Sequence, residues 1–241
     1  MYKSNTIINP MRSISSARIH KPVTRSQTVM RKSTTIQNPT YIMVIDTETT
    51  GLFQRNANPE NFELFNTARM VEIAWDIYTP SGDLISRESY IIKPDGFTIP
   101  QTAINIHGIT NELAESIGVH IENVFERLEI VLKDVAIIVA HNLSYDNAII
   151  LAELYRLNDT SNTSNGISNY RSLLHDWLTK ERKCTMLMST HITGVYKWHK
   201  LGELYRICFN SAPDITLHRA AADVDICSKI YFHLVQRTIR D

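Results

Sequence analysis

What the sequence lacks narrows the field before any motif is read. Cysteine is scarce: Cys184, Cys208 and Cys227 form no C-x-x-C pair, which excludes a disulfide framework and a zinc cluster and points to an intracellular, reducing compartment, cytoplasm or nucleus. No apolar run approaches the roughly 20 residues of a membrane helix, and the N-terminus lacks the apolar stretch of a secretory signal, so no membrane partner is expected. Acids are missing from residues 1–40, where Lys3, Arg12, Arg18, Lys21, Arg25, Arg31 and Lys32 stand alone. With 25 basic and 25 acidic residues in the whole chain, the other 201 carry 18 basic against 25 acidic, a net of −7. Global charge therefore announces no nucleic acid, and any phosphate contact in the body must be local or bridged by metal ions.

The basic segment also lacks periodicity. It is rich in Ser, Thr and Asn and is broken by Pro10, Pro22 and Pro39, so residues 1–40 read as a disordered tail. Its composition also suits an organellar transit peptide or a nucleic-acid-contacting arm. From Tyr41 the pattern changes. The run YIMVI is that of a strand covered on both faces, and 43% hydrophobic side chains suffice for one core over residues 41–241. Strands are predicted over Met70 to Tyr78 and Leu84 to Ile92, joined by the turn Pro80-Ser81-Gly82-Asp83, and over Val135 to Ala140. Helical spacing marks Ile121 to Leu132, 145–157, 199–208 and 218–237, with a polar loop at 158–169. The result is an α/β fold with a mixed sheet, antiparallel at first and then parallel, covered by helices on both faces.

Acids stand where apolar residues belong. Alternation puts Ile42, Val44, Asp46 and Glu48 on one face of the first strand, and no Lys or Arg lies between Pro39 and Arg55 to pair with either acid. A metal site is the economical answer. On the last helix Asp223 interrupts the stripe Ala220, Cys227, Ile230 and Leu234, while Asp225 points away and reads as a solvated acid. Asp146 follows the carboxyl end of a buried strand, where sites of open α/β sheets are built. Taken singly, Asp146 reads more readily as a helix cap, and His141 or His218 as a structural histidine.

Together these residues resemble the DEDDh, or DnaQ-like, exonucleases, typified by the proofreading epsilon subunit of bacterial DNA polymerase III. The matching motifs are Val44 to Leu52 (VIDTETTGL), Ala140 to Asp146 (AHNLSYD) and His218 to Asp223 (HRAAAD), supported by Arg69-Met70-Val71-Glu72-Ile73 and Ile106-His107-Gly108-Ile109-Thr110. The resemblance implies an RNase H-like mixed five-stranded sheet flanked by helices. It implies 3′→5′ hydrolysis of phosphodiester bonds, with Asp46, Glu48, Asp146 and Asp223 holding two divalent cations, Mg²⁺ or Mn²⁺, and His218 accepting the proton of the attacking water. Thr49, Gly51 and Leu52 would line the terminal-nucleotide pocket, and Asn142 would orient the second motif. Arg at position 219 excludes the sister class with a catalytic tyrosine. The expected partner is nucleic acid with a free 3′ end, single-stranded DNA ahead of RNA, and a DNA polymerase fits beside it. The rival readings are an RNA-trimming exoribonuclease and a noncatalytic binding module of the same fold. Two long segments, Phe53 to Ala68 and Asn158 to Lys183, depart from the family pattern and read as peripheral insertions.

Overall fold

The computed structural model describes residues 40–163, 170–192, 197–214 and 218–238. The predicted tail, Thr40 apart, and part of the predicted 158–169 loop lie outside them. In chain order the elements are β1 (Tyr41–Thr49), β2 (Met70–Tyr78), β3 (Leu84–Ile91), α1 (Gln101–His107), α2 (Asn111–Ile117), α3 (Ile121–Leu132), β4 (Val135–Ala140), α4 (Leu143–Thr163), α5 (Arg171–Thr179), β5 (Glu181–Cys184), α6 (Thr185–Ile192), α7 (Leu201–Phe209) and α8 (Ala220–Thr238).

The five strands form one sheet in the order β3-β2-β1-β4-β5. β1 runs antiparallel to β2 and parallel to β4, so the sheet changes sense at its central strand. Side-chain alternation on β1 feeds two cores. Met43 and Ile45 pack with Trp75, Phe125, Leu128 and Ile149 on the α3 and α4 side. Ile42 and Val44 pack with Ala220, Val224, Cys227 and Tyr231 of α8 on the other. β2 is buried along its whole length, which accounts for its unbroken run of mostly apolar residues.

Three differences from the sequence expectations have physical causes. β5 was not foreseen because ERKC is charged, as suits a short strand at an exposed sheet edge. α4 continues through residues 158–163, where a loop was expected, because a helix nucleated on a buried stretch such as Ile149 to Leu154 propagates at little cost into polar sequence. The segment Phe53 to Ala68 is not peripheral: Phe65 is buried in the main core, and Phe53 packs between Phe65 and Tyr145 at 4.5 and 5.2 Å.

Candidate active site

The alternation that buries Ile42 and Val44 against α8 carries Asp46 and Glu48 up the same face to the carboxyl end of β1. There they meet Asp223, in the first turn of α8. One ligand oxygen from each of the three acids lies within 4.8 Å of the others. Asp146, in the first turn of α4, reaches the strand end from the opposite side. Its Oδ1 accepts from the Thr47 amide at 2.9 Å and from the Thr47 hydroxyl at 2.8 Å, so one oxygen is committed to the strand. The structure thus brings three of the four predicted acids into one cluster and sets the fourth beside it.

The acids are held against their own charge. Burial first, and then Asp146, Asp223 and Glu48, keep Asp46 well above the usual carboxylate range. Burial and the Asp223 charge push Glu48 up to about 8. Asp146 rises to about 7, burial outweighing its two Thr47 bonds, and Asp223 to about 6, burial outweighing the His218 amide. Arg219 pulls Glu48 the other way, but its guanidinium is engaged by Glu72 at 2.6 and 3.1 Å. Four acids that repel one another, none of them in a salt bridge among the described residues, fit divalent ions with hard oxygen ligands.

His218 is exposed and sits at φ 71°, a left-handed conformation a non-glycine residue adopts only when its surroundings impose it. Its amide donates to both Asp223 oxygens at 3.3 and 3.4 Å. Next to it, Glu72 binds Arg219 and also accepts from the Ala220 amide at 2.9 Å. Glu72 is 1% exposed and pairs with Glu48 across β1 and β2. This latch fixes the start of α8 relative to the strand that carries Asp46 and Glu48; the sequence offered Glu72 only as part of a supporting motif. Asp225, expected to be solvated, instead pairs with Arg87 at 2.7 Å and Lys229 at 2.9 Å, because the edge strand β3 carries Arg87 within reach of α8.

A cavity of about 830 Å³ opens beside the acids, lined by Glu48, Thr49, Gly51, Leu52, Asn142 and His218 among others. All four predicted substrate-binding residues therefore face it. The Thr49 side chain is used inward: its hydroxyl lies 2.8 Å from the Gly51 carbonyl and 2.6 Å from the Tyr145 hydroxyl. A Cβ at Gly51 would meet the Thr67 carbonyl at 3.0 Å, so glycine permits the close approach of the Phe53 to Ala68 segment. Leu52 is left 78% exposed at the rim. Asn142, at φ 62°, turns the chain between β4 and α4 and accepts from the Tyr145 amide at 2.9 Å. His141, which burial lowers to about 4, ties this turn to two distant segments: Nδ1 lies 2.9 Å from the Thr185 hydroxyl and Nε2 3.0 Å from the His199 carbonyl.

Comparison with known proteins follows the same outline. Residues 43–231 match the family profile described as Exonuclease, RNase_T. Among curated proteins no match was found. Among solved structures, exonuclease X in complex with 5′ overhanging duplex DNA is 22% identical with a TM-score of 0.55, over 82% of this chain and 92% of that one. E. coli exonuclease I in complex with a dA16 oligonucleotide is 17% identical with a TM-score of 0.59, over 83% of this chain. The match spans 42% of exonuclease I. A zinc-bound form of the E. coli exonuclease I complex with single-stranded DNA matches at a TM-score of 0.58 and 17% identity, over 85% of this chain and 42% of that one. The shared architecture is the RNase H-like mixed sheet.

Proposed function

Since the chain belongs to the DEDDh exonuclease family, a class of 3′→5′ exonucleolytic hydrolases, we propose that it removes nucleoside monophosphates from the 3′ end of single-stranded DNA in a reaction that depends on divalent cations. One observation carries the reading: three carboxylates converge within 4.8 Å, and one of them, Glu48, lines a cavity that His218 also lines. The DNA preference is supported by the exonuclease X and exonuclease I complexes, which contain duplex DNA and a deoxyoligonucleotide.

Asp46, Glu48 and Asp223 would hold two ions, with Asp146 contributing the oxygen not engaged by Thr47. When bound, the ions supply the positive charge that a phosphodiester needs as it gains negative charge towards the transition state, which acids alone cannot give. His218 accepts the proton as water oxygen bonds to phosphorus; the bond to the upstream 3′ oxygen breaks, leaving a 5′ monophosphate and a strand shortened by one nucleotide. Asp223, hydrogen-bonded to the His218 amide, holds the imidazole at the cavity and stabilises it once charged. Leu52 and the turn from Thr49 to Gly51 would contact the terminal nucleotide through apolar surface and backbone, which is indifferent to base identity. Asn142 shapes the opposite wall.

The test is incubation with end-labelled single-stranded DNA and RNA in Mg²⁺ or Mn²⁺. Stepwise shortening from the 3′ end, faster on DNA and abolished by EDTA, Asp46→Ala and His218→Ala, is the expected result. Binding without nucleotide release in every metal would refute catalysis, and faster RNA shortening would refute the DNA preference.

A further inference from the structure

Beyond Asn142 lies a second cavity, of about 520 Å³, and Asn142 lines both. Its walls include Leu143, Met186, Leu187, Arg182 and Trp198. Leu187 is 51% exposed and Trp198 68% exposed, and the Trp198 ring meets no aromatic partner among the described residues. An indole placed so openly is costly unless something covers it.

Its position is not accidental. Lys200 is extended, at φ −66° and ψ 156°, and stands at the start of α7. His199 is 8% exposed and its carbonyl accepts from the half-buried His141 ring at 3.0 Å. His199 is buried between an exposed Trp198 and an exposed Lys200; Lys200 lines the first cavity and Trp198 the second. The His141 link therefore couples the second motif to the strip that bridges the two cavities. The charge fits as well. Between residues 180 and 200 stand Lys180, Arg182, Lys183, Lys197 and Lys200 against the single acid Glu181, in a body whose net charge is −7. Lys200 forms no ion pair among the described residues.

We infer that the second cavity is the track for the strand beyond the scissile dinucleotide, with Trp198 as a stacking platform for the next base upstream and Lys200 beside the phosphate that links that base to the dinucleotide. The inference rests on the exonuclease reading, and it names what that reading leaves open: how the enzyme grips a strand longer than the nucleotide it removes. Base stacking on an indole accepts any base, as a non-sequence-specific nuclease requires.

Tryptophan fluorescence tests it directly. Trp75 and Trp177 are fully buried, so added quencher or ligand reports on Trp198. Oligothymidylates from a dinucleotide up to about 8 nucleotides, within the range of single-strand sites, would be titrated into the His218→Ala protein with Mg²⁺, and hydrolysed in parallel by wild type, Trp198→Ala and Trp198→Phe. Quenching is expected to begin once the strand outgrows the dinucleotide. Trp198→Ala should remove the length-dependent gain in kcat/KM, a loss of at least about fivefold for one stacked base, while dinucleotide hydrolysis stays unchanged and Trp198→Phe keeps most of the gain. If wild type shortens the strands but no length quenches Trp198, and Trp198→Ala keeps the gain, the surface belongs to another contact and the inference falls with the exonuclease reading intact. If wild type hydrolyses none of the ladder, that reading fails and the inference falls with it.

Discussion

Two sets of acids lie in this sheet and its covering helices, and the fold treats them in opposite ways. Glu153 on α4, 3% exposed, receives Arg69 at 2.7 Å, the Met70 amide at 3.2 Å and Arg156 at 3.3 Å. Glu72 is likewise met by Arg219 and the Ala220 amide. Asp146 is as deeply placed and Asp46, Glu48 and Asp223 are half-buried, yet the charges that act most strongly on Asp46 are the other three acids. Where an acid serves as a fastener, the chain supplies a guanidinium whose planar fork matches a carboxylate. In the cluster assigned here to catalysis, the chain withholds one. Unpaired buried charge is thus a functional signal only because the same protein pairs its structural acids so thoroughly.

The comparison breaks if the unpaired set proves structural. Asp46→Asn is expected to lower kcat by at least about 10²-fold, the order lost when charge stabilisation at a transition state is removed, and to raise the Tm of the metal-free protein by relieving repulsion. A Tm that falls while activity persists would place Asp46 among the fasteners. Glu153→Ala is the mirror experiment. Leaving two largely buried guanidinium groups without their acid should cost about 3–5 kcal/mol, the range for a broken buried pair, seen as a lower midpoint in denaturant with kcat per folded molecule retained.

Glu72 sharpens the boundary, since it is built like a fastener and stands beside the chemistry. Glu72→Gln keeps the shape but weakens the hold on Arg219 and the Ala220 amide. Because that latch sets where His218 and Asp223 stand, a loss of about 10- to 100-fold in kcat is expected, the size of effect seen when an orienting partner of a metal ligand is removed. The KM for single-stranded DNA should change little. An equal fall in stability with kcat intact would make the latch merely structural.

How much of this was legible in the sequence follows from the range of each signal. β2 and β4 lie where their apolar runs put them, and β1 begins where one does, because burial on both faces writes itself locally. Asp46, Glu48 and Asp223 were readable as acids at periods of 2 and of 3 and 4, and the cluster confirms that those periods converge. The hold of Glu72 on Arg219 was not, since 147 residues separate the partners and neither breaks a local pattern. The same holds for His141, whose two contacts lie 44 and 58 residues away. Asp225 was misread because helix periodicity tells which way a side chain points but not that β3 will deliver Arg87 to meet it.

The smallest effect is the most discriminating, because it reads the unpaired set without a substrate. Each of these carboxyls is raised by folding: Asp223 to about 6, Asp146 to about 7 and Glu48 to about 8. A raised acid prefers its protonated form in the folded chain, so its contribution is fully present below the unfolded value near 4 and is lost as pH climbs through the folded value. In chelator, stability should therefore decline as pH rises from about 5 to 8. Fasteners such as Asp225, which is held low, act in the other direction and at lower pH. Divalent ions should cancel the decline by neutralising the ionised cluster, and Asp46→Asn should shrink both the decline and its rescue. Tm measured against pH with EDTA and with Mg²⁺ decides it: parallel curves would mean that no ion binds the cluster, whereas curves that diverge as pH rises would identify these acids as the ion's ligands.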